Sequence, residues 1–295
     1  MTMQLGMDMI KLLFFPGLLF LAACGVLLLF LEGWLQVAFL GGRGPRPRDL
    51  AAAGEAPSPG ELASLVVPPL AMGICGVLLV GARGDLFALV LLFSSVEAAS
   101  LYLVAAGGED RASYVPLCFR TALCRVVALS CVALSLSLRF PGAFSSGLET
   151  LRGEGAPWAV QLWDGPGFPL VAASVACAGL SLLLFLLGRP AGTGRRAGKE
   201  DHSLAYPRAV IVEGPQRAAG LLLFVVVFLG YPWEGGTGKM LWAGSVLGFA
   251  LLVTAARAWA EGRGGVLVRR LQGVAALIAL LSVGLAFAAV ILSGR

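Results

Sequence analysis

The chain has 295 residues, of which 58% are hydrophobic and only 13% charged; its mean hydropathy is +0.87 and its net charge +5. A water-soluble domain cannot hide that much apolar surface, so the composition predicts an all-α integral membrane protein with lipid as its first partner. It excludes a membrane β-barrel, which would show ten-residue alternating segments. It also excludes a nucleic-acid binder, because the arginines are scattered among apolar runs rather than gathered in a patch.

Cysteine and histidine usage narrows the chemistry further. Cys24, Cys75, Cys118, Cys124, Cys131 and Cys177 all lie in or near apolar segments, and no C-x-x-C occurs. They read as small packing residues rather than metal or cluster ligands. His202, the single histidine, sits in a polar run and makes a poor metal site alone. No phosphate-binding loop, G-x-S-x-G, H-E-x-x-H or dinucleotide fingerprint is present. The chain is therefore expected to hold no metal, no cofactor and no catalytic residue of its own.

Taken in order, the sequence forms a single polytopic domain, 1–295, with eight predicted spans. The first, 12–40, is longer than the hydrocarbon core and should tilt or extend along the interface. Leu21-Ala-Ala-Cys24 imitates a lipoprotein signal, but the apolar run continues past Cys24 and predicts a retained helix. A Pro- and Arg-rich loop follows. Span two is 62–82, with Pro68 and Pro69 as an expected kink. Span three, 86–106, carries Glu97 near its middle. An acid at that depth is either an ion relay facing the bundle interior or a hydrogen-bonded packing residue.

Span four is 116–138, with Arg120 and Arg125 in its first turns. Trp158 and Trp163 are expected at the interface before span five, 168–187. Span six, 212–233, opens with Glu213, Pro215 and Arg217. Pro suits a first helical turn, where its missing N–H is not needed. Glu213 and Arg217 share a face at i,i+4 and should pair. That pair is either a charged mouth to a membrane helix or an interfacial salt bridge that positions it. Span seven is 239–256, Arg257–Arg270 reads as a basic loop, and span eight is 271–292. Gly244-Ser-Val-Leu-Gly248 is a pattern that favours close helix approach in lipid.

Eight spans place both termini on one side. The loops after odd-numbered spans hold thirteen Lys and Arg residues, against six on the other side. The positive-inside rule then puts odd-numbered loops in the cytoplasm and both termini outside, in a multi-pass protein of the cell (inner or cytoplasmic) membrane. Glu32, Glu213, Arg120 and Arg125 all fall towards the cytoplasmic face.

The order of these features resembles the eight-span membrane subunit shared by respiratory NADH:quinone oxidoreductase (complex I, where the mitochondrial form is called subunit 1) and by energy-converting membrane-bound hydrogenases and formate hydrogenlyases. Glu32-Gly-Trp34 followed by Gly41-Gly-Arg-Gly-Pro45 is similar to that family's first loop, without its two bases after the acid. Leu117-Cys-Phe-Arg-Thr121 resembles its G-A-x-R-E, with Thr121 in place of the glutamate. Arg189-Pro190 is what remains of a longer acidic motif after span five. Val212-Glu-Gly-Pro-Gln-Arg217 resembles the opening of its sixth span, with one glutamate where two are usual. Ala255–Ala276 resembles its closing pattern.

The resemblance implies a non-catalytic subunit of a redox-driven ion pump. Its cytoplasmic loops would seat a peripheral arm that carries iron–sulfur clusters and a nickel–iron site or a flavin. Its buried polar residues would link that arm to antiporter-like membrane subunits. Glu32, Arg120, Glu213 and Arg217 are the retained polar positions, and Glu97 joins them on depth alone. Arg43, Pro45, Arg189, Arg208, Arg263, Arg269 and Arg270 are the expected docking residues. The eroded loop motifs favour a hydrogenase-type assembly. The alternatives are a quinone-binding subunit of NADH dehydrogenase, a stand-alone ion or solute transporter, and an anchor without an ion path.

Overall fold

A computed structural model of the chain describes residue 10 and residues 12–14, 17–40, 59–81, 86–105, 115–139, 168–188, 209–229, 236–262 and 265–292. Eight long helical segments lie within them. They are α1 Leu18–Leu40, α2 Pro59–Gly81, α3 Leu86–Ala105, α4 Val115–Arg139, α5 Phe168–Leu187, α6 over 209–229, α7 Gly236–Gly262 and α8 Gly265–Leu292. Each coincides with an expected apolar segment, because in lipid a helix satisfies its own backbone polar groups. Six of them (α1, α4, α5, α6, α7 and α8) are long and apolar enough to cross a membrane. The second and third are different: their apolar stretches, Val66–Leu79 and Leu86–Tyr102, are shorter.

The boundaries correct two expectations. The stretch Arg257–Arg270 is not a loop: α7 continues to Gly262 and α8 begins at Gly265. Arg257 therefore sits inside a helix, and it is buried. Span six starts earlier than expected, at Ala209, and is described as far as Leu229. Its α-helical centre, Gly214–Phe224, is flanked by π turns at Ala209–Glu213 and Val225–Leu229. Single π turns inside helices re-aim side chains and gather at functional positions. Pro68 and Pro69 lie within α2, where they remove two donors from the helix ladder.

α6 is the innermost helix. Of its apolar window, 78% is buried, against 11% for α7. Around it α1 packs on α2, α2 on α3, α3 on α4, α4 on α5, α5 on α7, and α7 back on α1, while α8 lies across α4 and α5. α6 itself packs chiefly on α1, α2 and α5 and reaches α3 and α7 through side chains. The core between α3, α4, α5 and α6 is apolar, built on Leu89, Leu129, Val132, Leu182, Leu223 and Val227. Phe224 of α6 stacks on Phe249 of α7 with ring centres 4.3 Å apart.

One close approach fixes how α6 is seated. Gly25 of α1 meets Gly214 so tightly that a Cβ on Gly214 would lie 3.2 Å from the Gly25 carbonyl carbon, and a Cβ on Gly25 would overlap the Gly214 backbone. Such glycine contacts let helix backbones touch in the absence of a hydrophobic driving force. By contrast, Gly244 and Gly248 of α7 have open space where a Cβ would go, so among the described residues they serve no helix contact. At the other end of the bundle, Ser135, Ser174 and Ser282 join α4, α5 and α8. Ser174 donates to the Ser282 carbonyl at 2.9 Å, Ser282 donates to the Ser174 carbonyl at 2.8 Å, and the Ser135 and Ser282 hydroxyls are 2.7 Å apart. Each such bond contributes about 0.6 kcal/mol in a membrane bundle.

Candidate functional site: a buried charged layer

Glu32, Glu97, Arg125, Glu213, Gln216, Arg257 and Gln272 are all at most 3% exposed. Buried charge is costly unless paired, so their partners decide what they are. They come from the C-terminal halves of α1, α3 and α7 and the N-terminal halves of α4, α6 and α8. Together with the end of α5 they form one layer across the bundle.

The first half of the layer is a four-membered ion cluster. Arg217 donates through Nη1 to Glu32 and through Nη2 to Glu213, the second being the expected i,i+4 pair. Glu213 also accepts from Arg257 Nη2. Arg257 Nε lies 3.6 Å from the other oxygen of Glu32, Oε1. Two carboxylates thus share two guanidinium groups from α6 and α7. Arginine suits this role because its planar fork carries several donors in fixed directions. Beside the cluster is a cavity of about 20 Å³, lined by Arg217, Arg257, Thr254 and apolar neighbours, large enough for one water molecule.

The second half is centred on Glu97. Its Oε1 accepts from Arg125 Nε at 2.6 Å and from Gln216 Nε2 at 3.0 Å. Gln216 is the neighbour of Arg217 on α6, so this one helix carries members of both halves. Arg125 also donates through Nη1 to the Phe185 carbonyl at 2.9 Å, and its guanidinium lies 4.1 Å from the centre of the Phe185 ring. Such a cation–π contact strengthens when desolvated.

The end of α5 joins the halves a second time. The last carbonyls of a helix have no partner within it. Here Leu184 O accepts from Gln272 at 2.8 Å, Phe185 O from Arg125, and Gly188 O from Arg257 at 2.7 Å. Gly188 leaves room for these side chains: a Cβ there would overlap the Gln272 amide and come within 2.6 Å of Arg125 Nη1, so both would have to shift. Cations at a helix C-terminus are also favoured by its dipole.

Four of the five coupling candidates, Glu32, Glu97, Glu213 and Arg217, therefore meet in one layer. Arg120 does not; it is exposed on the outside of α4. It is five residues before Arg125, about 140° round a helix, so only one of the two can face inward. Of the docking candidates, Arg43, Pro45, Arg189, Arg208 and Arg263 lie outside the described residues, as do His202, Trp158 and Trp163. Arg269 and Arg270 lie on the first turns of α8, and Arg270 is exposed. Arg257, Gln216 and Gln272 were not singled out from sequence. Gln272 carried a usable signal, being an amide at the start of a long apolar run.

Among the described residues, no group of three or more His, Cys, Asp or Glu side chains is placed to hold a metal ion. No family model matches the chain, and no curated protein matches it.

Proposed function

We propose that this chain is the anchor and coupling subunit of a redox-driven ion pump built like complex I, with a hydrogenase-type assembly favoured. In this reading all eight helices cross the cytoplasmic membrane, both termini face outward and the odd-numbered loops face the cytoplasm. Those loops seat a peripheral arm that carries iron–sulfur clusters, with nickel–iron or flavin chemistry in the partner subunits. Antiporter-like subunits lie alongside in the membrane. The chain itself performs no bond chemistry.

The observation that carries the reading is the meeting of Glu32 with Arg217, 185 positions away, and of Arg217 with Glu213. These are three of the positions that the family resemblance singles out, and they converge in the interior with Glu97 linked in through Gln216. A salt bridge that only oriented one helix would need neither Arg257 nor the connection to α3. Ionisable groups facing a bundle interior mark ion pathways by default, and a relay needs titratable groups in hydrogen-bond reach of one another.

The test is mild-detergent purification through a tag on this chain, followed by mass spectrometry and metal analysis. Iron with nickel, together with antiporter-like subunits, is the expected result. Iron with flavin and quinone reduction would move the chain to the NADH dehydrogenase type. A lone chain without metal would overturn the assembly reading and favour a stand-alone transporter.

A further inference from the structure

We infer that Arg125 and Arg257 are positioning residues that clamp the last turn of α5 to the two carboxylate groups of the layer, so that a change of charge at Glu97 or Glu213 alters how firmly that helix end is held. The purpose rests on the coupling reading above; the geometry does not. Each arginine is bifunctional. Arg125 uses Nε for Glu97 and Nη1 for Phe185 O. Arg257 uses Nη2 for Glu213 and Nη1 for Gly188 O, with Leu186 O at 3.4 Å. Gln272, which lies 3.4 Å from Arg125 Nη1, closes the cap on Leu184 O.

The chain supplies one bond itself, from the Gly188 N–H to Phe185 O at 3.1 Å; side chains of three other helices supply the rest of the cap. An ordinary helix end is capped by its own chain, with a glycine turn or water. Here Phe185 O and Gly188 O also accept from guanidinium groups whose orientation is set by carboxylates on α3 and α6. If a carboxylate loses its charge, its arginine keeps its own charge but loses the partner that aims it. The helix end then loosens, at the point where the chain leaves α5 for the basic segment that begins at Arg189. The charged groups facing the clamp are Glu32, Glu97, Glu213 and Arg217, all in the layer already described.

Hydrogen–deuterium exchange read by mass spectrometry tests this. The full-length tagged chain is purified with whatever accompanies it and held in lipid nanodiscs, and peptides covering 180–188 are followed. Glu97→Gln and Glu213→Gln should each speed exchange there about tenfold, the equivalent of one charge-assisted hydrogen bond. Arg257→Lys, which keeps the charge but not the fork, should do the same. Peptides covering 170–178, at the other end of α5, should not change. Unchanged exchange at 180–188 in both glutamine variants would overturn the inference. So would a uniform rise over the whole bundle, which is what loss of a merely structural pair would produce. A clamp that responds in a chain that purifies alone would leave the inference standing and remove the assembly reading.

Discussion

Arg257 and Glu213, 44 positions apart on α7 and α6, form a buried ion pair in which each side chain is at most 2% exposed. The pair anchors the outermost helix to the innermost one at the depth where Glu32 and Arg217 also meet. It stands where the sequence pattern reads as the start of a basic loop.

Arg257→Met should be strongly destabilising. It leaves Glu213 short of one partner and uncaps Gly188 O, and breaking a buried pair from one side costs about 3–5 kcal/mol. The measurement is the thermal unfolding midpoint of the detergent-purified chain. The same substitution at the exposed Arg120 should leave stability within about 0.5 kcal/mol of the parent.

Glu97 and Arg125 should behave as one unit. Glu97→Gln alone leaves the guanidinium of Arg125 buried with its neutral partners, and Arg125→Met alone leaves the carboxylate with Gln216. The double variant Glu97→Gln/Arg125→Met removes both charges. A double-mutant cycle should therefore give an interaction energy of about 1–3 kcal/mol. Additive losses would mean that the two residues act independently.

The Gly25–Gly214 contact should tolerate no side chain. Gly25→Ala would drive a methyl group into the backbone of α6, and relief requires the two helices to part, which also separates Glu32 from Arg217. The expected cost is at least the roughly 1–3 kcal/mol typical of overpacking. Gly244→Ala on α7 meets open space and should be neutral or slightly stabilising, since alanine is about 1 kcal/mol the better helix former. Comparing the two variants by thermal unfolding separates a packing requirement from a general dislike of substitution.

What could be read from the residues follows the physics of lipid. Long apolar runs announced the helices, because only such runs lower the free energy of a chain in a bilayer. The Glu213–Arg217 pair was legible because i,i+4 geometry is local. Arg257 was hidden by company: with Arg263, Arg269 and Arg270 nearby it resembles a topology signal, and only packing shows that α7 continues through it. Arg120 and Arg125 were indistinguishable by type. Which of them turns inward depends on where α3 and α5 lie, and a single sequence does not contain that. Gln216 and the α5 carbonyls were out of reach for the same reason, since their role exists only when three helices converge.

The proposed coupling of redox chemistry to ion movement through the charged layer stands or falls on redox-driven ion uptake. It is measured in membrane vesicles that carry Glu213→Gln or Glu97→Gln, with assembly checked by co-purification. The expected result is an intact complex that still transfers electrons but builds no ion gradient. An unchanged gradient in both variants, with the complex intact, would contradict the coupling role and reduce the layer to a structural anchor.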